Sequence, residues 1–168
     1  MGDGRIRRVR LKRAFYPWAV ASLLCMVIIF LFSAQNAEAS SRISGAITGR
    51  VFGIVLGWFG VTEITPFFEA LEVFVRKSAH LLVFTILGFC VSGAVRQLTG
   101  RTRNVFLVSL CFCSFYAATD EFHQLFVPGR ACMWQDWLID TAGVLLGICV
   151  MLLGQRLISR LRRRRDGD

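Results

Sequence analysis

Three pairs of ionisable residues lie at helical spacing next to long apolar runs. Lys77 and His80 are three apart, Asp120 and His123 are three apart, and Asp136 and Asp140 are four apart. Each spacing puts both members on one helix face. Asp120 beside His123 is the material of a general acid–base pair, or with Asp136 of a carboxylate–imidazole metal site. Lys77 and Arg130 are groups that hold phosphate or carboxylate, and a guanidinium grips two oxygens at once. Glu121 and Gln124 belong to the same stretch, which runs from Tyr116 to Gly147. Charge so close to membrane-length apolar sequence is costly and points to function.

The elements that must carry these residues follow from composition. Of 168 residues 55% are hydrophobic, and mean hydropathy is +0.56. The apolar residues come in runs separated by short charged stretches. The pattern predicts one all-α integral membrane domain over 1–168, a four-helix bundle with spans at about 17–34, 79–96, 104–124 and 137–154 and basic tails at 1–16 and 155–168. Pro17 and Trp18 suit a helix start at the interface. A basic start, an apolar run and Ala37-Glu38-Ala39 also imitate a signal peptide, but a chain that goes on crossing the membrane favours an uncleaved first span. The apolar stretch Val51–Val61 is too short to cross. It is expected to lie in the interface or re-enter the bilayer, or to pack on the bundle as an amphipathic helix. Thr65-Pro66 starts a helix that runs into the second span, with Glu72 and Arg76 at i,i+4. Val127 precedes Pro128 and ends the third helix near Leu125; Pro128-Gly129 is a turn.

The cysteines form no disulfide or zinc framework. Five of the six lie in apolar runs, and Cys111 and Cys113, two apart, point away from each other on a helix. No cofactor and no resident metal is assigned. Fifteen of the 20 Lys and Arg residues lie in the two tails and in Arg96–Arg103. The positive-inside rule therefore puts both termini and that loop in the cytoplasm. Basic tails also suit nucleic acid, but the apolar chain between them favours anionic lipid headgroups as partners and excludes a nucleic-acid binder. The three polar pairs then reach the same, outer surface. Ser109, Cys113, Tyr116, Asp120 and His123 form one stripe on the third helix. Asp136, Asp140, Gly143 and Gly147 form one on the fourth, where the glycines admit another helix at close range. Asp140, one turn below Asp136, needs a cation or a proton, and His80 or Arg130 is expected to contact one of the two aspartates.

These residues resemble the VanZ-like family of bacterial membrane proteins, named for a teicoplanin-resistance protein. Phe32-Ser33-Ala34-Gln35 followed by Ser40 and Ser44 is similar to the family's end of the first span, and Arg76-Lys77-Ser78-Ala79-His80 to its K-x-x-H start of the second. The most specific part is Asp120-Glu121-Phe122-His123-Gln124, Phe126-Val127-Pro128-Gly129-Arg130, Asp136, Asp140, Gly143 and Gly147. The chain departs from many relatives at Val83 and Phe84, where they carry a Glu-Tyr pair, and at Gln135, where a basic residue is common. The resemblance implies a role in the bacterial cell envelope, with some members giving resistance to glycopeptide antibiotics.

Three functions fit the residues. The first is an outward polar site, formed by Lys77, His80, Asp120, Glu121, His123, Gln124, Arg130, Asp136 and Asp140, that binds a lipid-linked cell-wall precursor or a glycopeptide antibiotic of the teicoplanin type. The alternative is a membrane-embedded enzyme acting on such a precursor through Asp120 and His123. A proton or ion pathway finds too few ionisable groups in the inner halves of the spans. Against all three stands a buried network that only holds the helices in register.

Overall fold

The computed structural model describes the backbone of residues 2–36, 38, 40–46, 49–50 and 65–165, and the side chains of these from residue 14 onward, those of 65–69 excepted. Val51–Val61 lies outside the described residues. The described chain is all helical: α1 (Gly2–Ser33), a short α2 (40–46), α3 (Thr65–Leu98), α4 (Thr102–Gln124) and α5 (Trp134–Arg165). Four of these helices contain segments long and apolar enough to cross a membrane: Ala14–Ser33, Ala70–Leu98, Thr102–Gln124 and Trp134–Arg165.

Helix α1 does not start at Pro17 but runs through it from Gly2. Proline lacks the N–H that would bond back one turn, and membrane helices tolerate it where neighbouring groups re-satisfy the backbone. Helix α3 is uninterrupted over 34 residues. At 1.5 Å per residue this is about 51 Å, well beyond a hydrocarbon core of about 30 Å, so its first turns extend past the core.

Helix α3 is the hub. It packs on α5 most extensively, and also on α1 and α4; α4 in turn packs on α5. Glycine explains the α3–α5 seam. A Cβ on Gly143 would strike the Leu81 carbonyl, one on Gly147 the Thr85 carbonyl and the Phe89 nitrogen, and one on Gly88 the Val144 carbonyl. Each helix thus presses backbone onto the other's glycines, the close approach that small residues permit in membranes. Around this seam Ile29, Phe84, Leu87, Val91, Cys113, Ala117, Val144 and Ile148 form the core. Exposed Leu23, Leu24, Leu31, Phe115 and Leu146 face outward, as lipid contact requires.

The chain's charge is divided between the two ends. Trp18 of α1 meets Phe89 of α3 edge-on at 5.6 Å, so the start of α1 lies with the end of α3. The Arg96–Arg103 turn and Arg156–Arg165 belong to that same end. The end of α1, the start of α3, the end of α4 and the start of α5 come together at the other.

Candidate functional site

At that second end two ion pairs join α3 to α5, one above the other. Lys77 Nζ donates to Asp136 Oδ1 at 2.5 Å, with the two side chains 33% and 28% exposed. One turn deeper, His80 Nδ1 stands 3.5 Å from Asp140 Oδ1. The upper pair is wet at its rim and resembles a surface pair, worth about 0.2–1 kcal/mol. The lower one differs. Asp140 is 0% exposed, and neither of its oxygens accepts a hydrogen bond. The His80 contact has the distance of an ion pair but not the geometry of a hydrogen bond. A buried carboxylate in that state is costly by several kcal/mol unless charge or a proton meets it.

Asp120 reaches the same space from α4. Its Oδ2 accepts from Ser33 Oγ at 2.6 Å and from Gln124 Nε2 at 3.3 Å. His80, Asp120 and Asp140 each present a donor atom, and the three atoms lie within 4.8 Å of one another. Imidazole plus two carboxylates is a metal-ligand set, though not the Asp120–His123–Asp136 set that sequence spacing suggests.

His123 is elsewhere. Its ring stacks on Phe30 of α1 at 4.7 Å, and its Nδ1 is buried with no hydrogen-bond partner. The spacing does place Asp120 and His123 on one face of α4, but α1 covers that face. Ser33 bonds the carboxylate and Phe30 stacks on the ring, and among the described residues no hydrogen bond joins Asp120 to His123. Glu121 also has a structural partner: its Oε2 accepts from the Met133 N–H at 2.9 Å, just ahead of α5. A carboxylate there complements the helix N-terminus.

Arg130 is placed by a turn. Its N–H bonds the Val127 carbonyl at 3.1 Å, and Gly129 has φ 75°, so Val127–Arg130 is a turn whose third residue must be left-handed. The side chain folds back to donate through Nε to the Gln35 carbonyl at 3.3 Å. Burial, and after it the nearby Arg76, lowers the Arg130 pKa from its usual value. Arg76 has no ion pair among the described residues, since the Glu72 carboxylate lies against Gly45 of α2 instead.

Two spaces open at this end. One is a polar pocket of about 20 Å³ among Arg76, Lys77, His80, Glu121, Gln124, Arg130, Asp136, Ile139 and Asp140. That is room for one water or one ion. The other is an apolar cavity of about 320 Å³ between α1, α2 and α3, walled by Ile29, Phe32, Ile43, Val83 and Phe84. Arg76, His80 and Arg130 line both.

Of the residues singled out by sequence, Lys77, His80, Glu121, Gln124, Arg130, Asp136 and Asp140 therefore gather around one pocket. Asp120 joins through the His80–Asp140 cluster, and His123 stands apart. Ser33, Arg76 and Phe30 are not among the site residues that sequence singles out. Ser33 and Arg76 stand in the family-like motifs, which is the available signal. Nothing in the spacing marks Phe30, one of many aromatic residues in an apolar run.

A bundle of four membrane-length helices with a carboxylate–histidine cluster at one end defines a class of multi-pass membrane protein. The family model described as VanZ/LLP1 matches residues 18–155, and the chain belongs to that family. Comparison with curated proteins and with solved structures gives no match.

Proposed function

We propose that this VanZ-family protein binds an anionic, lipid-linked cell-wall precursor, with the headgroup at Arg76 and Arg130 and the lipid chain in the apolar cavity. The observation that carries this reading is the shared wall. The same two guanidinium groups border a polar pocket on one side and an apolar cavity on the other. A ligand suited to both is charged at one end and greasy at the other. Lys77 is committed to Asp136, which leaves the two arginines for the anion. Charge-assisted bonds to phosphate contribute about 1.5–3 kcal/mol each. The acid–base alternative is the weaker one, because among the described residues no hydrogen bond joins Asp120 to His123, which stacks on Phe30 instead.

The site end lies opposite the basic tails. With those tails in the cytoplasm, as the positive-inside rule requires, the pocket opens on the outer leaflet, where such precursors are consumed. Sequestering one from a glycopeptide is the route by which this binding would give teicoplanin-type resistance.

Native mass spectrometry of the protein released from bacterial membranes tests the reading. A retained adduct with the mass of a polyprenyl-phosphate-linked precursor is expected, lost in the Arg76→Gln/Arg130→Gln double variant. Only bulk phospholipid, or an adduct that the double variant keeps, would overturn it.

A further inference from the structure

We propose that His80, Asp120 and Asp140 hold a divalent metal ion, of the Mn²⁺ or Zn²⁺ class, within the bundle one turn below the Lys77–Asp136 pair. Two independent observations meet here. The first is the ligand geometry: one imidazole nitrogen and two carboxylate oxygens, contributed by three different helices, lie within 4.8 Å of one another. Bond lengths near 2.0–2.2 Å put neighbouring ligand atoms about 3–4 Å apart around one ion, so a small side-chain adjustment closes the set. The second is the state of Asp140. It is wholly buried, and both oxygens lack a hydrogen-bond partner.

The surroundings agree with a cation. Ser33 and Gln124 both bond Asp120 through Oδ2. Outer partners of this kind fix the orientation of metal-binding carboxylates. Two carboxylates so close in an apolar bundle repel each other, and His80 brings at most one positive charge. A divalent ion neutralises both. The polar pocket beside His80 and Asp140 has room for one ion or water. Mixed imidazole and carboxylate ligands suit Mn²⁺, Fe²⁺ or Zn²⁺, and the absence of a thiolate from the trio argues against Cu⁺ or an iron–sulfur cluster.

The chief competitor is a proton shared within the cluster, which also relieves the repulsion. The experiment separates them. Full-length protein in lipid nanodiscs is stripped with EDTA and titrated with Mn²⁺, the free ion being followed by its electron paramagnetic resonance signal. One saturable site per chain is expected, displaced by Zn²⁺. Asp140→Asn and His80→Gln should each weaken it by at least about 100-fold, more than loss of an outer partner does. Glu38→Gln, at an exposed pair with Arg42, should leave it intact. Thermal unfolding gives a second readout: Mn²⁺ should raise the midpoint of the parent and not of the two variants. Absence of saturable Mn²⁺ binding would overturn the proposal in favour of the proton. So would binding that both variants keep. The Mn²⁺ titration uses no polyprenyl lipid and no variant of Arg76 or Arg130, so this site stands or falls separately from lipid binding.

Discussion

The seam between α3 and α5 has two halves built on opposite chemistry. In the inner half Gly88, Gly143 and Gly147 bring backbone against backbone, and the gain is packing without charge, the Thr85 hydroxyl being satisfied one turn back on the Leu81 carbonyl. In the outer half Lys77–Asp136 and His80–Asp140 span the same two helices with charges. If ion pairs were only a means of holding the helices, the inner half shows that this chain does not need them. Asp140 is the sharpest contrast, because it is as buried as any core residue and yet its oxygens are unbonded. A network evolved for register would be expected to satisfy its deepest member.

The largest effect should come from the glycine half. Gly147→Val drives a branched side chain into the Thr85 carbonyl and the Phe89 nitrogen. Overpacking of this kind costs about 1–3 kcal/mol and more against rigid backbone. The yield of monodisperse protein in detergent should fall sharply. Gly154→Val, on the same helix with nothing within 4 Å of the new Cβ, should behave as the parent. Equal loss at both positions would mean that the seam is not the organising contact.

A smaller effect, of opposite sign, should follow at the buried carboxylate. The His80→Leu/Asp140→Leu double variant removes both members of the buried pair, so neither charge is left without its partner. Replacing buried ionic groups by apolar ones of similar volume is often neutral or stabilising by about 1–4 kcal/mol. In EDTA, the variant's thermal midpoint should equal or exceed the parent's. A marked fall would show that the pair holds the helices and would merge the two halves of the comparison into one.

The smallest effect belongs to the rim. Lys77→Met breaks a pair that is about one-third exposed, so stability should change by no more than about 1 kcal/mol. A drop of several kcal/mol in chemical denaturation would place the strength of the outer half at its surface rather than at Asp140.

Much of this architecture is legible in the sequence. Membrane-length apolar runs dictate four helices, because backbone polar groups in lipid leave few other choices. The i,i+4 spacing of Asp136, Asp140 and the following Gly143 and Gly147 puts charge and close packing on one face, and α3 is indeed what lies against it. What spacing within a helix does not report is which neighbour covers a face. That decides His123, which spacing pairs with Asp120 but which α1 stacks on Phe30. It also decides Asp120, whose partner Ser33 is 87 residues away in sequence. Pro17 misleads for a related reason, since its missing N–H permits a helix start but does not require one. Spacing pairs Arg76 with Glu72 at i,i+4, while the tertiary fold sends that carboxylate to α2 and leaves the guanidinium at the mouth of both cavities.

If the outer half is kept for binding and the inner half for folding, Arg130→Gln separates the two most directly. Each preparation is measured twice: for thermal midpoint in detergent, and by native mass spectrometry for retention of an added polyprenyl phosphate. Gln can still donate toward the Gln35 carbonyl but carries no charge. The expected result is a midpoint close to the parent's and retention weakened by about 10-fold or more, the equivalent of one lost charge-assisted bond. A variant that retains the lipid as the parent does, or that loses it only in step with its fold, would contradict that division of roles.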